Sequence, residues 1–128
     1  MRLSFLPTAL LALAAPAAAL DAAPRTVEVD LSSFAFAPDT IRLHAGEAIV
    51  LHLVNTGSGG HDFSAPRFFA AATIDPADRA RLRHGALEVP GHQSADLRLT
   101  VPAAGHYALR CTHPLHSVFG MRGEIDVD

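Results

Sequence analysis

Residues 26–31, TVEVDL, put Val27, Val29 and Leu31 on one side of an extended chain and Glu28 and Asp30 on the other. A period of two is the mark of a strand with one buried face. The same alternation returns in SADLRLTV (94–101), which aligns Leu97, Leu99 and Val101, and in HYALRC (106–111), which aligns Tyr107, Leu109 and Cys111. GEIDV (123–127) closes the chain with Ile125 and Val127 inward; TIRLH (40–44) and ALEV (86–89) are shorter strands, and the more continuously apolar AIVLHLVN (48–55) reads as a central one. Turns at Pro38-Asp39, Ala45-Gly46-Glu47 and residues 102–105 separate them. Short strands at this spacing specify an all-β protein, a β-sandwich.

Residues 64–84 break the pattern. SAPRFFAAATI and DPADRARLRHG carry Ala, Leu and Arg without alternation, which predicts a short helical insertion. Asp75 is placed to cap a helix with Pro76 at its first position, and Gly85 to end it. Arg79, Arg81 and Arg83 would then spread around that helix as a solvated face.

The N-terminus, MRLSFLPTALLALAAPAAAL, has a basic Arg2, an apolar Leu/Ala run and small residues, the three regions of a secretory signal in order. Ala17 and Ala19 place cleavage after Ala19, so residues 1–19 form the signal and 20–128 a single domain. The apolar run, broken by Pro7 and Pro16, is shorter than the ~20 residues of a membrane span. An exported, periplasmic protein without stable membrane insertion is expected. Cleavage leaves nine of the ten arginines against thirteen acidic residues, a formal charge of −4. That acidic excess, with no basic patch, argues against nucleic acid as a partner.

An exported chain with one cysteine makes no internal disulfide, so Cys111 calls for another role. It opens CTHPLHSVFGM (111–121), where His116 and Met121 follow at intervals of five between two strands. A loop that returns on itself aims these three side chains at one point, and the Gly-rich segment TGSGG (56–60) delivers His61 to the same end. One thiolate, two imidazoles and a thioether are a selective set. Structural zinc rarely uses a thioether, and calcium and magnesium take oxygen. Two His and one Cys in a plane with a weak axial Met describe a mononuclear electron-transfer copper centre. Soft sulfur suits Cu(I) and nitrogen suits Cu(II), so a rigid compromise between them reorganises little when an electron moves.

CTHPLHSVFGMRG together with GGHDF resembles the cupredoxins, type 1 blue copper proteins of the azurin, plastocyanin and pseudoazurin kind. The resemblance covers nearly the whole mature chain in strand order. It implies a Greek-key β-sandwich with one copper ion at one end, held by His61, Cys111, His116 and Met121. It also implies that the His116 ring edge is the electron port. Leu115, Val118 and Phe119 would contribute to an apolar docking surface around it; ordinary loop packing is the alternative for these three, and on that alternative Phe119 is the first that would point inward. Where the family usually has Asn after the first His, this chain has Asp62, and the analogous tie between the ligand loops is Asp62 to Thr112. Gly60 stands where the family's carbonyl approaches copper from the far axial side. Leu115 replaces a frequent Gly, and the loop is one residue longer before the methionine than in azurin. His113 is expected beside the site rather than on the metal, and His44, His52, His84, His92 and His106 are expected to be solvated or satisfied in the core.

Three functions compete. A multicopper oxidase would flank the cysteine with histidines, but Cys111 lies between Arg110 and Thr112, and no His-x-His pair exists. A binuclear centre needs a second cysteine, and four protein ligands leave no open position for a substrate. A non-enzymatic, monomeric one-electron carrier is expected, with a cytochrome or copper enzyme as redox partner docking near His116. Arg79, Arg81 and Arg83 are a second candidate contact, for an acidic partner. Copper delivery or storage is the alternative, although the Met clusters that such proteins expose are missing from a chain with two methionines.

Overall fold

The structure, a computed structural model, describes residues 23–128, so the expected signal at 1–19 lies outside the described residues. Two five-stranded sheets face each other. One has the order β2-β1-β4-β8-β6, built from Ala35–Ala37, Arg25–Ser32, Ala48–Asn55, Ser94–Thr100 and Thr73–Ile74. The other has the order β3-β10-β9-β5-β7, built from Thr40–Leu43, Arg122–Val127, Gly105–Arg110, His61–Ser64 and Ala86–Val89. β1 runs parallel to β4 and β10 parallel to β3, while the remaining pairs are antiparallel, so the chain crosses between layers as a Greek key does.

The alternation of the sequence is the alternation of burial. Val27, Val29, Leu31, Leu97, Leu99, Leu109, Ile125 and Val127 all enter the core between the sheets, where they meet Phe36, Phe63 and Phe68. β5 was not legible as a strand, because all four residues of HDFS are buried and no alternation remains. Among the described residues no helix is long and apolar enough to cross a membrane.

The insertion is present, but its helix lies elsewhere than expected. α1 spans Pro66–Ala71, with Pro66 in the first turn and Phe68 and Phe69 buried. The segment after Asp75 forms only a 3-10 turn, Arg79–Arg81, with no buried residue. Asp75 does receive the amide of Ala77 at 2.9 Å, the start of a cap. Without an apolar face to pack, however, the turn is not propagated, because tertiary burial supplies most of the stability of short helices. Gly85 instead occupies a tight turn at φ +72, where Arg83 and Ala86 pair.

Candidate metal centre

Strand register brings the proposed ligands together. β5 meets β9 at Ser64↔Arg110, and continuing that antiparallel register past the end of β9 sets Cys111 beside Phe63 and Thr112 beside Asp62. On its other side β9 pairs with β10 from Arg122↔Arg110, so Cys111 and Met121 close the base of the hairpin, with the Cys111 amide 3.2 Å from the Met121 carbonyl. His61 is the first residue of β5 itself rather than the tip of a flexible loop. His61, Cys111 and Met121 are all fully buried.

Between Cys111 and Met121 the chain folds into consecutive turns. The His116 amide donates to the His113 carbonyl at 3.1 Å and the Met121 amide to the His116 carbonyl at 3.0 Å, which draws His116 back over Cys111. Leu115 adopts φ 68, a conformation that L residues enter at a cost of about 1–2 kcal/mol, and this accounts for glycine being frequent at that position.

His61 Nδ1 and His116 Nδ1 lie 3.1 Å apart, and Cys111 Sγ is 3.9 Å and 3.4 Å from them respectively. A metal with nitrogens at about 2.0 Å and a sulfur at about 2.3 Å, roughly 110° apart, needs N···N of about 3.3 Å and S···N of about 3.5 Å. The three donors therefore fit a single ion. Burial lowers the pKa of His61, with His116 and His113 adding to the effect, which keeps its ring nitrogen available as a ligand. Burial pushes the Cys111 thiol up, so metal binding must release its proton.

A shell of further residues fixes this set. The Asp62 amide points at Cys111 Sγ at 3.5 Å. The Asp62 carboxylate accepts from the Thr112 amide at 2.7 Å and from the Thr112 hydroxyl, which is the tie between ligand loops that the resemblance implies. His113 turns away from the centre to Glu88, 2.9 Å from Nε2 to Oε1, and stacks on the His116 ring with centroids 5.3 Å apart. A Cβ on Gly60 would lie 2.9 Å from that Glu88 oxygen and 3.3 Å from the His113 ring, so the position has little room for a side chain.

Three supporting residues escaped sequence reasoning. Asn55, buried at the end of β4, donates to the carbonyls of Gly59 and Val89 at 2.8 and 2.9 Å and accepts from the Gly57 amide at 2.9 Å. A polar residue ending an apolar strand before a Gly-rich loop was the available signal. Ser33 Oγ faces His61 Nε2 at 3.5 Å. Phe34 packs edge-on against His116 at 5.0 Å and against Phe119 at 5.3 Å.

The His116 rim is apolar and exposed: Leu115 62%, Val118 73%, Phe119 61% and Phe34 39%. Phe119 stays at the surface with Leu115 and Val118, the position expected of all three, and does not turn inward. Phe119 packs on Phe34, with ring centroids 5.3 Å apart. The arginine run is partly engaged within the fold, Arg79 donating to the Ile74 carbonyl at 3.3 Å and Arg81 to the Asp96 carbonyl. His44, His52 and His106 pair with Asp128, Asp96 and Asp126.

Residues 23–128 match the family described as "Copper binding proteins, plastocyanin/azurin family", and the chain belongs to that family. Its cofactor is copper. Among solved structures it is similar to auracyanin B, with 26% identity, a TM-score of 0.62, and coverage of 85% of this chain and 93% of that one. Auracyanin A, a "blue" copper protein from the green thermophilic photosynthetic bacterium Chloroflexus aurantiacus, shares the fold at 19% identity and a TM-score of 0.61, covering 83% of this chain and 100% of that one. Dithionite-reduced auracyanin from Roseiflexus castenholzii does so at 20% identity and a TM-score of 0.60, covering 84% and 99%. No curated protein sequence matches at a significant level.

Proposed function

We propose that His61, Cys111, His116 and Met121 hold the copper ion and that the protein is an exported, non-enzymatic one-electron carrier. The observation that carries this reading is the placement of His116. Its Nδ1 sits among the buried donors, while Phe34 and the exposed Leu115, Val118 and Phe119 surround the loop that carries it. An imidazole with Nδ1 among the donors on one side and an apolar rim on the other would offer a short path for an electron to copper held there. Copper supplies the one-electron couple. The chain's residues supply fixed donors, exclude water with the Phe63 and Met121 side of the core, and present the rim to a partner. A rigid centre built on register-paired strands suits repeated cycling without loss of metal. Export is supported by the signal-like segment 1–19.

The test is cyclic voltammetry of the copper-loaded protein with a Cu(I) chelator present. A carrier cycles reversibly and keeps its metal. Rapid transfer of copper to the chelator on reduction would reject the carrier in favour of copper delivery.

A further inference from the structure

His61 and His116 offer the same ring nitrogen, but the chain holds the two rings in different ways. His61 is the first residue of β5, a strand flanked by β7 and β9. His116 stands in the run of turns between Cys111 and Met121, outside the strands, so its ring is held by side chains. Phe34, from the turn after β1, meets it edge-on with centroids 5.0 Å apart and planes at 67°. His113, three residues before it, stacks on it at 5.3 Å and 24°. Both separations lie within the range of attractive aromatic pairs.

A stacked ring confines its neighbour only if it is itself anchored, and His113 is. Its Nε2 lies 2.9 and 3.0 Å from the two carboxylate oxygens of Glu88, on β7. A carboxylate accepts, so Nε2 carries the proton, and it donates from the neutral ring and the imidazolium alike. β7 in turn pairs with β5 from His61↔Val89 to Ser64↔Ala86. The ladder that places one histidine therefore also anchors, through Glu88 and His113, the support of the other. We propose that His113 is a positioning residue: tied to β7 by Glu88, its ring joins Phe34 in confining the His116 imidazole and keeps His116 Nδ1 aimed at His61 Nδ1 and Cys111 Sγ. The inference rests on the copper reading above, and it gives the extra histidine of the loop a task that needs no bond to the metal. A His116 ring freed of this support rotates about its side-chain bonds, and a ligand that leaves even briefly opens the ion to a competitor.

The experiment compares wild type, His113→Ala, Glu88→Ala, Glu88→Gln and the double variant His113→Ala with Glu88→Ala. One readout is carbon-13 relaxation of the His116 ring in the metal-free protein. The other is the rate at which the reduced, copper-loaded protein passes Cu(I) to an excess of chelator. His113→Ala is expected to loosen the ring and to speed transfer about tenfold, the change that loss of one ring pair carries. Glu88→Ala leaves the His113 ring in place but unanchored, and should speed transfer about threefold. Glu88→Gln keeps an acceptor for Nε2 and should stay within about twofold of wild type. Because Glu88 acts through His113, the double variant should be no faster than His113→Ala. An unchanged His116 ring, or an unchanged transfer rate, in His113→Ala overturns this proposal alone. So does a Glu88→Gln protein that matches Glu88→Ala, which would trace the effect to charge, or a double variant at the product of the two single effects, which would make the roles independent. A colourless wild-type adduct overturns the copper reading, and the ring measurement, made without metal, then still decides whether His113 positions His116.

Discussion

Replacing Asn55 with Ala tests whether the first ligand is placed by the fold or by the loop before it. The Asn55 side chain makes three hydrogen bonds, to Gly57, Gly59 and Val89, and so pins the 56–60 loop to β7 just before His61. Among the described residues no buried side-chain N or O lacks a partner, so the amide is fully used. At about 1 kcal/mol for each bond, truncation costs about 3 kcal/mol, and it also leaves the carbonyl of fully buried Val89 without this donor. With an m-value of about 1 kcal/mol per molar, the urea midpoint of the metal-free protein falls by about 3 M. Asn55→Asp keeps the acceptor for Gly57 but turns a carboxylate oxygen toward two carbonyls, so it should be at least as damaging as Ala. Equilibrium urea unfolding followed by far-UV circular dichroism measures both. A loss below about 1 kcal/mol for Asn55→Ala, or an Asp variant more stable than the Ala variant, would refute the reasoning.

The other predictions follow from equally local features. Arg98 donates to the Asp78 carboxylate from its side chain and backbone and holds that carboxyl below the ordinary carboxylate range. A depressed acid stabilises the fold above its unfolded pKa of about 3.9 and loses that contribution as the pH falls through the folded value. Because Arg98 is half exposed, Asp78→Asn should cost about 1–2 kcal/mol at pH 7, with the gap to wild type closing below about pH 4 in parallel urea titrations. Met121→Leu fills the buried position with a side chain of similar volume but no thioether. It should keep the colour and raise the potential, and loss of copper binding would mean that Met121 is more than a weak axial ligand. Val118→Glu with Phe119→Glu puts like charges on the exposed rim. This double variant should slow electron self-exchange, read from NMR line broadening in mixed oxidation states, at least tenfold without moving the potential, and unchanged exchange would place docking elsewhere.

The outline of both sheets was legible because strands with one buried face announce themselves by alternation; Val27, Val29, Leu31, Leu97 and Leu99 did so. The candidate site was legible because one segment gathers the only cysteine with His116 and Met121 in eleven residues. What escaped was decided by contacts distant in sequence. HDFS is a strand because β7 and β9 flank it, and its four buried side chains erase any periodic signal. The helix at 66–71 prevailed over the one expected after Asp75 because Phe68 and Phe69 reach the core, whereas the Arg-rich segment has no apolar face to offer. Phe34 and Ser33 belong to the turn after β1, twenty-eight residues before His61 in the case of Ser33. No local pattern shows that this turn folds over the centre.

Titration of the metal-free protein with Cu(II), followed in the visible range for wild type and Cys111→Ser, tests the central claim most directly. One equivalent should produce an intense thiolate-to-copper charge-transfer band in the wild type, saturating at a single ion per chain, and that band should be absent from Cys111→Ser. A colourless wild-type adduct, or a band that survives the loss of the sulfur, would contradict a copper centre built on Cys111.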